Sequence, residues 1–80
     1  MKRNARTAFN KLTKLGFVCY DPIKDRASWG NGFFDISAEE GNPDADYWMN
    51  PGMDRLSELL QPHGLHPEWV NPGVITVYEA

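Results

Sequence analysis

Turn-forming residues cut this chain into short pieces, and that punctuation limits its fold more than any other feature. Asp21-Pro22, Asn31-Gly32, Gly41-Asn42-Pro43-Asp44, Pro62 with Gly64, and Asn71-Pro72-Gly73 recur along its 80 residues. Each interrupts regular structure, because proline lacks an N–H and glycine or asparagine tolerates turn conformations. The longest apolar run is Phe17–Tyr20, far short of the ~20 residues that span a bilayer. What remains are short helices and strands that must bury one face against each other.

The pieces read in order. Residues 4–15 predict an amphipathic helix, with Ala5, Ala8, Phe9, Leu12 and Leu15 on one stripe and Arg3, Arg6, Lys11 and Lys14 on the other side. Asn4 is the expected N-cap and Gly16 the left-handed residue after its end. Phe17–Tyr20 predicts a buried strand, and residues 21–28 a polar loop. Asn31-Gly32 predicts a tight turn joining a short strand near Trp29 to a second strand, Phe33–Ser37. Residues 38–46 form an acidic loop by this reading. Asn50 as cap and Pro51 at the first helical position predict a second helix with Met53, Leu56, Leu59 and Leu60 buried. Leu65–Val70 and the β-branched run Val74–Tyr78 predict a hairpin across Asn71-Pro72-Gly73, with Gly73 at positive φ and Trp69 packed over the turn. The order α-β-β-α-β-β gives a single α+β domain over residues 1–80. It has an antiparallel sheet of about four strands and two helices on one face.

A domain this small buries only about 60% of its unfolded surface. Ten aromatic residues, three of them tryptophans, supply large rings to compensate. The single cysteine, Cys19, forbids an intrachain disulfide and suits a reducing, cytoplasmic setting. The opening residues are charged but lack the apolar stretch of a signal peptide.

Charge is unevenly distributed along the sequence. Residues 1–26 hold seven of the eight basic residues against Asp21 and Asp25, a balance of +5. Residues 27–80 hold Arg55 against nine acids, a balance of −8. Two interaction surfaces follow. Glu39, Glu40, Asp44 and Asp46, with Tyr47 and Trp48 beside them, offer an acidic surface with an aromatic anchor for a protein partner. The rings also suit the core, and for Trp48 the core is the stronger expectation. Alternatively, the basic face of the first helix (Arg3, Arg6, Lys11, Lys14) offers about four phosphate contacts, salt-sensitive and largely independent of sequence. The acidic remainder of the chain opposes that second reading.

Catalytic signals are weak. Cys19 sits inside Phe-Val-Cys-Tyr, where a small buried hydrophobe is expected, and not in the exposed, electropositive setting of a reactive thiol. His63 and His66 stand beside helix breakers, and zinc needs three or four converging ligands. Neither phosphate-binding glycine pattern is present. The residues point to no catalytic centre, no cofactor and no metal, and a small enzyme is the third reading.

The stretch His63-Gly64-Leu65 followed by Glu68-Trp69-Val70-Asn71-Pro72-Gly73-Val74 resembles the C-terminal part of small bacteriophage and prophage proteins. Ile36-Ser37-Ala38-Glu39-Glu40, with a Tyr-Trp pair after it, adds to the likeness. The resemblance covers about half the chain. It implies a phage setting, in which compact acidic proteins bind host machinery, and it implies no catalytic residues.

Overall fold

Residues 1–25 and 29–80 are described by a computed structural model. Of the expected polar loop 21–28, the last three residues lie outside the described set.

Helix α1 (Arg3–Lys14) forms where small and apolar residues recur at helical spacing. Ala5, Ala8 and Leu12 are buried, and Phe9 packs edge-on to Phe34 at 5.3 Å. Asn4 is not its cap. Lys2 occupies that position without a capping side-chain hydrogen bond, while Asn4 Nδ2 donates to the carbonyl of His63 at 2.8 Å. That amide ties the start of α1 to the entrance of the third strand. Leu15 leaves the apolar stripe and is exposed, because the helix closes there ahead of Gly16 at φ 94°.

Strands β1 (Phe17–Tyr20), β2 (Phe34–Gly41), β3 (Leu65–Asn71) and β4 (Val74–Glu79) form one antiparallel sheet in the order β1-β2-β4-β3. Alternation sorts its side chains. Phe17, Phe34, Ile36, Ala38, Leu65, Ile75 and Val77 enter the core with α1 and α2 (Asp54–Leu60). The fold is therefore α+β, with both helices on one face. A single buried leucine of this kind is worth roughly 1.5–3 kcal/mol.

Among the described residues no hairpin across Asn31-Gly32 forms, and the residues just before Trp29 lie outside them. Residues 29–33 instead cross the face opposite the helices. The backbone N–H groups of Trp29 and Gly30 donate to Asp35 Oδ2 at 2.8 and 3.3 Å, and Gly32 N–H donates to Thr76 Oγ1 at 3.0 Å. Asp35 is 1% exposed, so its buried carboxylate recruits N–H donors that a hairpin would have used elsewhere. Gly30 lies directly against the Thr76 side chain, leaving no room for a Cβ.

The acidic segment also differs from expectation. β2 continues to Gly41, so Glu39 and Glu40 belong to a strand. Between Ile36 and Gly41 that strand bulges away from β1, which spans the same interval with Phe17 to Cys19. Ser37 Oγ supports the bulge by accepting the N–H groups of Glu39 and Glu40 at 3.2 and 3.1 Å. At its end, Gly41 (φ 83°) packs against the Gly16 carbonyl, where a Cβ would stand 2.6 Å from the oxygen.

Helix α2 starts later than Asn50-Pro51 predicts. Asn50 spends its side chain on the carbonyl of Pro43 at 2.7 Å, and Met53, at φ 52°, turns the chain into the helix. Met53 is buried, which offsets a left-handed conformation costing about 1–3 kcal/mol. A short 3-10 turn, Gln61–His63, and Gly64 at φ 71° lead into β3. In the β3–β4 turn Gly73 lies outside the left-handed region; its N–H is taken by Asn71 Oδ1 at 2.8 Å.

Candidate protein-interaction surface

Gly16, Gly41 and the Pro72-Gly73 turn mark one end of the sheet, and the segment 42–53 wraps that end. Asn42 anchors it twice: its N–H donates to the Gly16 carbonyl and its Nδ2 to the Leu15 carbonyl, both at 2.9 Å. Asn42 Oδ1 also caps the 3-10 turn Pro43–Ala45 by accepting the N–H of Asp44 at 2.9 Å, and Ala45 is buried beneath it.

Asp46 then sets the next turn. Its Oδ1 accepts the N–H groups of Trp48 and Met49 at 2.8 and 2.9 Å, and its carbonyl accepts that of Asn50 at 2.9 Å. This is the self-closing turn that a short acidic side chain favours. Tyr47 is half-buried between two indoles, edge-on to Trp48 at 5.1 Å and to Trp69 at 5.0 Å. Trp69 is fixed in turn, because its Nε1–H donates to the Pro51 carbonyl at 2.8 Å. It therefore buttresses Tyr47. Trp48 itself is 82% exposed and Met49 75% exposed. The expectation that Trp48 joins the core is overturned: the turn places its backbone, and its ring stays exposed against the edge of Tyr47.

Asp44 thus lies in the first of these two consecutive turns, and Asp46, Tyr47 and Trp48 in the second. Glu39 and Glu40 stand on the bulge of β2 at the same end of the sheet, with the Glu39 carboxylate beside Gly73. Asp54, in the first turn of α2, is a further acid at this end. Among the described residues, none of these five carboxylates is within ion-pair distance of a cation.

The basic face of α1 is smaller than its sequence suggests. Arg6 pairs with Asp21, and its guanidinium also lies 5.0 Å from the Phe9 ring centroid. Lys2, next to the helix, pairs with Glu79 at 3.0 Å. Arg3, Lys11 and Lys14 remain exposed and without an ion pair among the described residues. The charge asymmetry of the sequence therefore does not become a clean spatial division.

Two groups are electrically perturbed, and neither belongs to this surface. The Arg6 guanidinium, helped by the N–H groups of Lys24 and Ile23, lowers the Asp21 carboxyl from 3.8 to about 2. Burial pushes the Cys19 thiol up to about 11, only partly opposed by a hydrogen bond with Thr13. His66 Nε2 lies 2.9 Å from Glu68 Oε2 and its ring stacks on Tyr78, while His63 Nε2 is buried without a hydrogen-bond partner among the described residues. Among the described residues, no three His, Cys, Asp or Glu side chains converge as a metal site. None of their helices is long and apolar enough to cross a membrane. Open depressions of about 290 and 240 Å³ flank Phe33 at the opposite end of the sheet.

Sequence reasoning missed Met49 as an exposed neighbour of Trp48, and Trp69 as its indirect support. The aspartate two residues before Trp48 was the available signal, since Asp at that offset captures the following N–H groups. Comparison with protein-family models, with curated proteins and with solved structures yields no match.

Proposed function

We propose that this chain is a non-enzymatic protein-interaction module that engages a partner through Trp48 and the carboxylates around it. The observation carrying this reading is the exposure of an indole whose backbone is hydrogen-bonded in place. A rigidly presented tryptophan loses little freedom on binding and can supply much of an interface's energy. The neighbouring acids would steer a basic partner toward it and raise the association rate. The resemblance to small phage proteins supports a setting in which such a module binds and modulates a complex in the host cytoplasm.

The test is affinity capture from bacterial lysate with the wild-type chain, Trp48→Ala, and a variant with Glu39, Glu40, Asp44 and Asp46 changed to lysine. Circular dichroism verifies that all three are folded. A specific partner lost with both variants is the expected result. A partner retained by both overturns the reading.

The second reading is association with nucleic acid, favoured by Arg3, Lys11 and Lys14 on α1, which have no ion pair among the described residues. With Arg6 committed to Asp21, about three phosphates could be neutralised, so binding should be weak and should fade steeply with salt. A gel shift at low salt that survives charge reversal at these three positions removes it.

A further inference from the structure

The surface around Trp48 lacks one chemical component, and the rest of the chain shows what it is. At Arg6, a guanidinium lies over an aromatic face (Phe9) while pairing with a carboxylate (Asp21). Trp48 and Asp46 present the aromatic and anionic parts of the same arrangement, with no cation paired to Asp46 among the described residues.

Resting on the interaction reading above, we propose that the occupant of this surface is an arginine-bearing segment of a partner protein. Its guanidinium lies on the exposed indole of Trp48 and pairs with the carboxylates of Asp44 and Asp46.

Three observations select arginine. First, among the described residues five carboxylates at this end of the sheet have no ion-pair partner, so a phosphate backbone or an acidic partner would be repelled and a basic one attracted. Second, indole is the strongest side-chain acceptor of a cation on its face, and 82% of Trp48 is open to one. The planar guanidinium stacks there and still directs N–H groups sideways at carboxylates, which the compact ammonium of lysine does less well. Third, Asp46 Oδ1 is occupied by the N–H groups of Trp48 and Met49, leaving Oδ2 as the carboxylate oxygen that they do not engage. The exposed Met49 offers its flexible thioether to the aliphatic stem of the arginine.

The test is a titration of the ¹⁵N-labelled full chain with three synthetic peptides, identical except for two central positions carrying arginine, lysine or glutamine. The Trp48 indole N–H signal, assigned by its loss in Trp48→Phe, is the readout. The arginine peptide should move that signal and bind about tenfold more tightly than the glutamine peptide, with lysine between them. Asp44→Asn with Asp46→Asn should weaken the arginine peptide about tenfold while leaving the turn intact, because an asparagine side-chain oxygen accepts the same N–H groups.

Equal affinity for all three peptides at Trp48 overturns arginine but leaves the interaction reading standing. Arginine binding that leaves the Trp48 signal unmoved, or that ignores the Asp-to-Asn changes, also overturns the proposal. So does a Trp48 signal that moves with protein concentration alone, which would make a second copy of the chain the occupant, or one that moves with a short oligonucleotide. Loss of lysate capture in Trp48→Ala without any arginine preference separates failure of this proposal from failure of the broader function.

Discussion

Asp46 holds Trp48 in the open by its backbone: one carboxylate oxygen accepts the Trp48 N–H at 2.8 Å, while the indole above it is 82% exposed. Display and stability are therefore separable at this turn. Asp46→Ala should cost about 1 kcal/mol, as loss of a similar capping side chain does. In a domain of this size that lowers Tm by roughly 4–8 °C. Asp46→Asn should be close to neutral, and Trp48→Ala should stay within about 0.5 kcal/mol of wild type. Thermal unfolding followed by circular dichroism checks all three. A Trp48→Ala loss as large as that of Asp46→Ala would place the ring among the structural residues.

The crossing of residues 29–33 over the sheet depends on the absence of a side chain at Gly30. Gly30→Ala should destabilise by about 1–3 kcal/mol, because its Cβ meets Thr76 within a packed layer. Asp35→Ala should cost about 1–3 kcal/mol by leaving the N–H groups of Trp29 and Gly30 without their acceptor. Urea denaturation midpoints measure both.

Asp21 gives the acid limb of stability a definite sign. Its carboxyl is lowered from 3.8 to about 2 in the folded protein, chiefly by Arg6. The folded state therefore gains from the charged form above pH ~4, and that gain is lost as pH falls through about 2. Asp21→Asn, or Arg6→Gln, should flatten the fall in stability between about pH 4 and 2. Unchanged acid unfolding in both variants would show that the pair is not coupled to folding.

Cys19 should behave as an inert thiol. With its pKa raised to about 11, almost none is thiolate at neutral pH, and its side chain is half-buried against the core. Labelling by a thiol-specific disulfide reagent should be slow in the native protein at pH 7 and complete within minutes in denaturant. Fast native labelling would contradict the burial.

Element type was legible in the sequence because it rests on local rules. The stripe of Ala5, Ala8 and Leu12, the apolar Phe17–Tyr20 and the β-branched Val74–Tyr78 each carry their own periodicity. The order α-β-β-α-β-β and the one-sided packing of the helices followed from them. Starts, ends and the acidic segment were not legible, because distant groups decided them. Asn4 and Asn50 looked like caps, but each is claimed by a carbonyl far away in sequence or in the wrapping turn, His63 in one case and Pro43 in the other. The Asn31-Gly32 turn yielded to Asp35 and Thr76, whose burial no local window reveals. Glu39 and Glu40 read as loop because their strand is held by a bulge on Ser37. The composition of the Trp48 surface was readable, but its exposure was not, since the outcome depended on where Trp69 would lean.

Pro67 sits in the outer strand of the sheet, opposite Val77. The Ala80 N–H donates to the Gly64 carbonyl, so hydrogen-bonded pairs alternate from that point and position 67 directs its main chain outward. That rim therefore lacks a donor at its midpoint, and a visiting polypeptide cannot readily add itself there as a fifth strand. At that rim, contact with another chain is left to protruding side groups. Such groups can be exchanged one at a time while the scaffold stays as it is.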